Sequence, residues 1–220
     1  MSGVHHEALH ILLRAAFGSG RLPRRRIGLL GGSFNPAHDG HRHISLWALR
    51  ALRLDEVWWL VSPQNPLKPV AGMADLEARV TGARAMARDP RIRVGALEAA
   101  LGTAYTIDTL AALRRRLPRV RFVWLMGADN LAQIHRWQGW TRIFHTIPIA
   151  VLDRPSYSLS IVTGHAARRF ARHRRPGRSG RVLADADPPA WVLLRGRRHG
   201  ASASAIRAKA RKTRGGRVHT

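Results

Sequence analysis

The chain has no cysteine among its 220 residues, which excludes disulfides and thiolate metal sites and fits a reducing cytoplasm. Acidic residues are scarce: 13 Asp and Glu stand against 38 Lys and Arg, a formal charge of +25. Long apolar runs are missing too. The most hydrophobic stretches, Val57–Val61 and Ala190–Leu194, are strand-sized and end in turns or charge, too short for a membrane span. Leu9–Phe17 is amphipathic rather than the continuous apolar stretch of a secretory signal. The expectation is a cytoplasmic protein with no membrane partner.

The basic excess invites a nucleic-acid reading, because a basic surface releases counterions from a phosphate backbone. Its distribution argues otherwise. The charge gathers in Arg24–Arg26, Arg114–Arg116, Arg168–Arg181 and Arg207–Arg217, and arginine far outnumbers lysine while alanine is plentiful, as biased codon usage produces. No recognised nucleic-acid module accompanies it, and a small phosphate-rich substrate would feel the same field. No nucleic-acid partner is expected.

What is present is concentrated in Ile27-Gly-Leu-Leu-Gly-Gly-Ser-Phe-Asn-Pro-Ala-His-Asp-Gly-His-Arg42. An apolar run reads as a buried strand, Gly31 and Gly32 let the backbone turn tightly, and a helix begins at the histidines and continues through Leu46, Leu49 and Leu52. A strand, a glycine turn and a helix N-terminus make an anion site, since unpaired N–H groups and the helix dipole point the same way. His38 and His41, three apart, share a helix face and aim at the same phosphates. The segment is not a Walker A loop, a G-x-G-x-x-G fingerprint or a G-x-S-x-G elbow. As zinc ligands the two histidines lack a cysteine or an H-E-x-x-H pattern to complete a site.

Beyond this block, strands (57–61, 91–94, 121–126, 147–152, 189–194) alternate with helices (74–87, 106–117, 138–145). That alternation predicts an α/β domain, a parallel sheet covered on both faces, with ligands bound beyond the carboxyl ends of its strands. The loops there carry Lys68, Gly127 with Asp129, Arg154, and Ser202, Ser204 and Arg207. Arg79 and Arg84 read as a solvated helix face. Residues 1–25 are expected to be an accessory helix and basic connector and 26–210 the main domain. Within that domain, the Arg-, Gly- and Pro-rich stretch 164–186 is read as a mobile surface insertion, with 211–220 a basic tail.

Five blocks resemble the bacterial nicotinate-nucleotide adenylyltransferase family of the H-x-G-H nucleotidyltransferases, over Arg26 to Lys209: the opening motif, Ala104-Tyr-Thr-Ile-Asp-Thr-Leu110, Met126-Gly-Ala-Asp-Asn-Leu131 with His135-Arg-Trp137, Asp153-Arg-Pro155, and Ser202–Arg207. The resemblance implies a Rossmann-like, doubly wound, mainly parallel sheet. It also implies a reaction of nicotinate mononucleotide with ATP that yields nicotinate adenine dinucleotide and pyrophosphate in NAD biosynthesis. Magnesium (Mg2+) would be carried by the ATP phosphates and not by side chains. Catalysis would fall to His38, His41 and Arg207, and ATP binding to Gly32, Ser33, Phe34, Gly40, Gly127, Asp129, Ser202 and Ser204. The mononucleotide would meet Asn35, Lys68, Thr106, Trp137 (stacking on the pyridine ring, with core packing beside Trp140 as the alternative) and Arg154. Thr106 could instead cap the helix that follows it. Asn35 stands where many members carry aspartate, Ser204 where threonine is usual, and Leu67 where histidine is typical. The nearest rival is phosphopantetheine adenylyltransferase, which usually has threonine at the place of His38 and lacks the Trp137 block. A basic nucleic-acid-binding protein on the same fold is a further alternative, and a homo-oligomer is compatible with the sequence.

Overall fold

The computed structural model describes residues 25–63, 72–153 and 163–195. The expected helix in 1–25 and the tail 211–220 lie outside the described residues. Seven strands form one sheet: β1 (Arg26–Gly32), β2 (Glu56–Val61), β3 (Ile92–Gly95), β4 (Arg121–Gly127), β5 (Ile149–Leu152), β6 (Arg174–Arg175) and β7 (Trp191–Leu194), in the order β3-β2-β1-β4-β5-β7-β6. Every pairing is parallel. The chain winds outward from β1 to β3, then returns to the other side of β1 as β4. The order therefore reverses between β1 and β4, and the crevice beyond their carboxyl ends is where such a sheet takes a ligand.

The central strands are apolar on both faces because helices cover both; β2, Glu-Val-Trp-Trp-Leu-Val, is buried throughout. On one face lie α1 (Asp39–Ala51), α2 (Leu76–Ala87) and a 3-10 segment, Gly177–Asp185, packing on Leu30, Val57, Trp59, Val61 and Leu125. On the other lie α3 (Leu97–Leu101), α4 (Thr106–Arg116), α5 (Ala128–Gln133), α6 (Trp140–Thr146) and α7 (His165–Arg169) over Leu29, Trp58, Trp124 and Val151. Among the described residues no helix is long and apolar enough to cross a membrane.

Two sequence expectations change. The stretch 164–186 is built into the domain: it carries α7, β6 and the 3-10 segment, and buries Ala166, Ala167, Phe170, Leu183 and Ala184. Phe170 stacks on Phe144 at 4.0 Å and 6°, so one aromatic ring anchors a segment whose composition is otherwise polar. The helix expected from residue 74 begins at Leu76, after Asp75, and Arg79 within it is buried.

Candidate active site

The turn expected at Gly31 and Gly32 comes later, because both glycines complete β1 in register with Leu60 and Val61. After β1 the chain passes Phe34 in the left-handed region (φ 47°), and its ring turns inward, 2 % exposed. That ring stacks on Trp59 at 5.0 Å and lies 4.7 Å from His41. The aromatic side chain thus supports the histidine from beneath. His38, itself buried, is the N-cap of α1. Its Nδ1 accepts the Gly40 N–H at 3.1 Å, and the His41 Nδ1 accepts the His38 N–H at 3.2 Å. This is a capping box built from two imidazoles, a role usually taken by Ser or Thr with Glu. Chemically the consequence is direct. A nitrogen that accepts a backbone N–H bears no proton, so each neutral ring carries its proton on Nε2 and acts there as a donor. The rings lie 3.9 Å apart, two donors side by side at the positive end of a helix. A chain from Trp59 Nε1 to Ser45 Oγ (2.7 Å) and from Ser45 Oγ to the His41 carbonyl (2.8 Å) fixes this turn to β2.

Arg79 is not on a solvated face. It is 4 % exposed, and its guanidinium donates to four backbone carbonyls: Ala74 (2.8 Å), Ser33 (2.8 Å), Ser62 (2.7 Å) and Pro63 (2.9 Å). It therefore joins the loops leaving β1 and β2 to the start of α2. Burial pushes its pKa down, partly countered by Asp75. Asn35 adds a second tie. Its Nδ2 donates to the Gly72 carbonyl at 3.1 Å, and its Oδ1 accepts the Ala74 N–H at 3.4 Å. The side chain expected to meet the mononucleotide is thus engaged with the neighbouring loop. Glu98, at the carboxyl end of β3 and unremarked in the sequence, is buried beside Ser62. Burial holds its carboxyl above the usual range, and the Ser62 hydrogen bond only partly opposes that.

Across the switch point, Gly127 is the N-cap of α5 and Asp129 lies in its first turn. The Oδ1 atoms of Asp129 and of Asp153, after the neighbouring strand β5, are buried without a hydrogen-bond partner among the described residues. Such orphaned acceptors in a loop cluster suit ligand hydroxyls. Thr106 is the first residue of α4 and Tyr105 its N-cap, with no side-chain cap bond, so the cap alternative for Thr106 does not hold. Tyr105 is 43 % exposed beside it. Trp137 is half-buried, packs against the core, and meets Trp124 edge-on at 6.4 Å. Trp140 turns away toward Phe144 and Phe170, which leaves Trp137 outside that aromatic stack. The left-handed Gly139 (φ 61°) sets this loop against the side chain of Ile107. Lys68, Arg154, Ser202, Ser204 and Arg207 lie outside the described residues. Among the described residues no group of three or more His, Asp or Glu could hold a metal ion.

A parallel sheet with a histidine-capped helix at its switch point defines an α/β protein whose helix N-terminus suits an anionic ligand. The cytidylyltransferase-like family model matches residues 29–209, and the chain belongs to that family. Within it, the chain is a member of the nicotinate-nucleotide adenylyltransferases. It is 54 % identical over 182 residues to a probable nicotinate-nucleotide adenylyltransferase of a Bradyrhizobium species, covering 83 % of this chain and 95 % of the relative. It is 52 % identical over 187 residues to one from a Caulobacter species, covering 85 % and 99 %. The fold is shared with the Plasmodium falciparum nicotinic acid mononucleotide adenylyltransferase complexed with NaAD, at a TM-score of 0.64 and 16 % identity over 84 % of this chain and 83 % of that one.

Proposed function

We infer that the protein joins nicotinate mononucleotide to ATP, releasing pyrophosphate and forming nicotinate adenine dinucleotide. The observation that carries this reading is the pair of Nε2 donors at the N-terminus of α1, held at the sheet's switch point by reciprocal capping. A phosphate oxygen of the mononucleotide attacks the α-phosphorus of ATP. The bond from that phosphorus to the β-bridging oxygen breaks, and its electron pair leaves on pyrophosphate. No protein nucleophile is needed, so catalysis is positioning plus charge stabilisation.

In this scheme His38 and His41 donate to the ATP phosphates, beside the backbone of Gly32, Ser33, Phe34 and Gly40. Asp129, following Gly127, takes a ribose hydroxyl. Ser202, Ser204 and Arg207 receive the outgoing pyrophosphate, Arg207 as a charged fork. Trp137 stacks on the pyridine ring and the helix start at Thr106 offers N–H donors to its carboxylate, with Lys68 and Arg154 toward the acceptor phosphate. Asn35 acts by holding its loop. Magnesium, carried by the ATP phosphates, would neutralise their charge. The acid form of the mononucleotide is favoured by the basic field and by exposed N–H groups. The test is pyrophosphate release from ATP with a panel of phosphorylated acceptors. Preference for nicotinate mononucleotide is the expected result. Preference for phosphopantetheine, or polyanion binding without turnover, refutes the assignment.

A further inference from the structure

The protein's buried tryptophans divide unequally. Trp58 donates its indole N–H to Glu56 (2.8 Å), Trp59 to Ser45 (2.7 Å) and Trp191 to the Phe170 carbonyl (2.8 Å). Trp124, 2 % exposed on the central strand β4, has no partner for Nε1 among the described residues, although that atom is buried. An orphaned buried donor is costly in a resting protein and needs a reason. Its position supplies one. In register Trp124 stands opposite Leu29 of β1, yet its ring tip lies over Gly31, where an added Cβ would fall 2.5 Å from Cη2. The side chain therefore leans two residues, about 6–7 Å, toward the carboxyl end of the sheet. It lies on the face covered by α4, edge-on to Trp137.

We propose that Trp124 is a specificity-determining residue for the acceptor nucleotide, its indole N–H donating to the anionic substituent of the aromatic base while its ring edge sets the face that Trp137 presents. The proposal rests on the adenylyltransferase reading above. It explains three observations at once: the unpaired donor, the absence of a side chain at residue 31, and the edge contact with Trp137. A neutral amide on the base also accepts a hydrogen bond, but a carboxylate forms the stronger, charge-assisted one. Trp124 would thus add to the preference for the acid.

The test compares the wild-type chain with Trp124→Phe in pyrophosphate release, offering nicotinate or nicotinamide mononucleotide. The variant should raise KM for the nicotinate form about tenfold, the loss of one hydrogen bond to a charged group. KM for ATP should stay within about twofold and the acid-over-amide ratio should fall. A variant that only melts earlier, or that shifts both substrates alike, overturns the proposal and leaves the enzyme assignment standing. A wild-type chain inactive with both acceptors overturns the assignment itself. Should Trp124→Phe not fold, the wild-type indole N–H resonance near Gly31 decides. It should move on adding nicotinate mononucleotide and stay in place with ATP alone; no movement with the mononucleotide overturns the proposal.

Discussion

Replacing Arg79 with methionine keeps much of the side chain's volume but removes all four of its hydrogen bonds, to Ala74, Ser33, Ser62 and Pro63. At about 1.5–3 kcal/mol for a bond from a charged donor, the gross loss is about 6–12 kcal/mol. Two effects reduce it. Burying a guanidinium is itself unfavourable, as its lowered pKa records, and removing it relieves that cost. The Ser33, Ser62 and Pro63 loops are also only half-buried, so water can reach some freed carbonyls. The net destabilisation should be about 3–5 kcal/mol, the range for breaking a buried polar network. Urea unfolding measures it. Arg79→Lys should recover part of the loss, because an ammonium keeps the charge but cannot fork to carbonyls on separate segments. KM should rise for substrates in both variants, since the loops leaving β1 and β2 lose their common tie. A methionine variant within about 1 kcal/mol of wild type, with unchanged KM, would refute the argument.

Other expectations concern the histidines and Glu98. His38→Asn substitutes one good N-cap for another, so unfolding should change by less than about 1 kcal/mol. Turnover should nevertheless fall about 100-fold, the cost of one lost donor to developing charge; full activity would remove His38 from the chemistry. His41→Ala should lower kcat far more than it weakens mononucleotide binding, and an unchanged kcat would count against the phosphate role. Glu98 has its folded pKa raised by burial, so the folded state holds that proton more tightly than the unfolded chain does. Its stabilising contribution is full at low pH and is lost as pH rises from the ordinary carboxyl range through the raised value. Glu98→Gln should therefore gain on wild type in urea unfolding as pH rises above the ordinary carboxyl range; a constant difference would contradict burial as the cause.

The parts most legible in the sequence are those where local chemistry decides the conformation. The helix start at the histidines and the apolar β2 needed only neighbours in the chain, whereas the turn read at Gly31 and Gly32 lies after them, at Phe34. Arg79 was not legible, because a helix carrying Arg79 and Arg84, with Arg88 just past its end, gives no local sign of which guanidinium turns inward. That depends on carbonyls brought from two other loops. The five residues of α3 show too little periodicity to announce a helix, and with it Glu98 was missed. The segment 164–186 hid its packing because a few apolar residues, Phe170 and Leu183 among them, anchor a chain dominated by arginine. Trp124 read as one more apolar residue of a buried strand. Only its missing hydrogen-bond partner distinguishes it.

The sheet's margins carry a consequence for how copies of this protein meet. One outer strand, β3, has four residues; the other, β6, is the pair Arg174–Arg175, closed at once by Pro176. Arg174 is drawn over the Trp191 ring, 5.5 Å from its centre, and both arginines are exposed. Short borders bearing like charge and a proline offer a poor template for a neighbouring chain's backbone. Stacking of one molecule's ribbon onto another's is thereby discouraged at each flank.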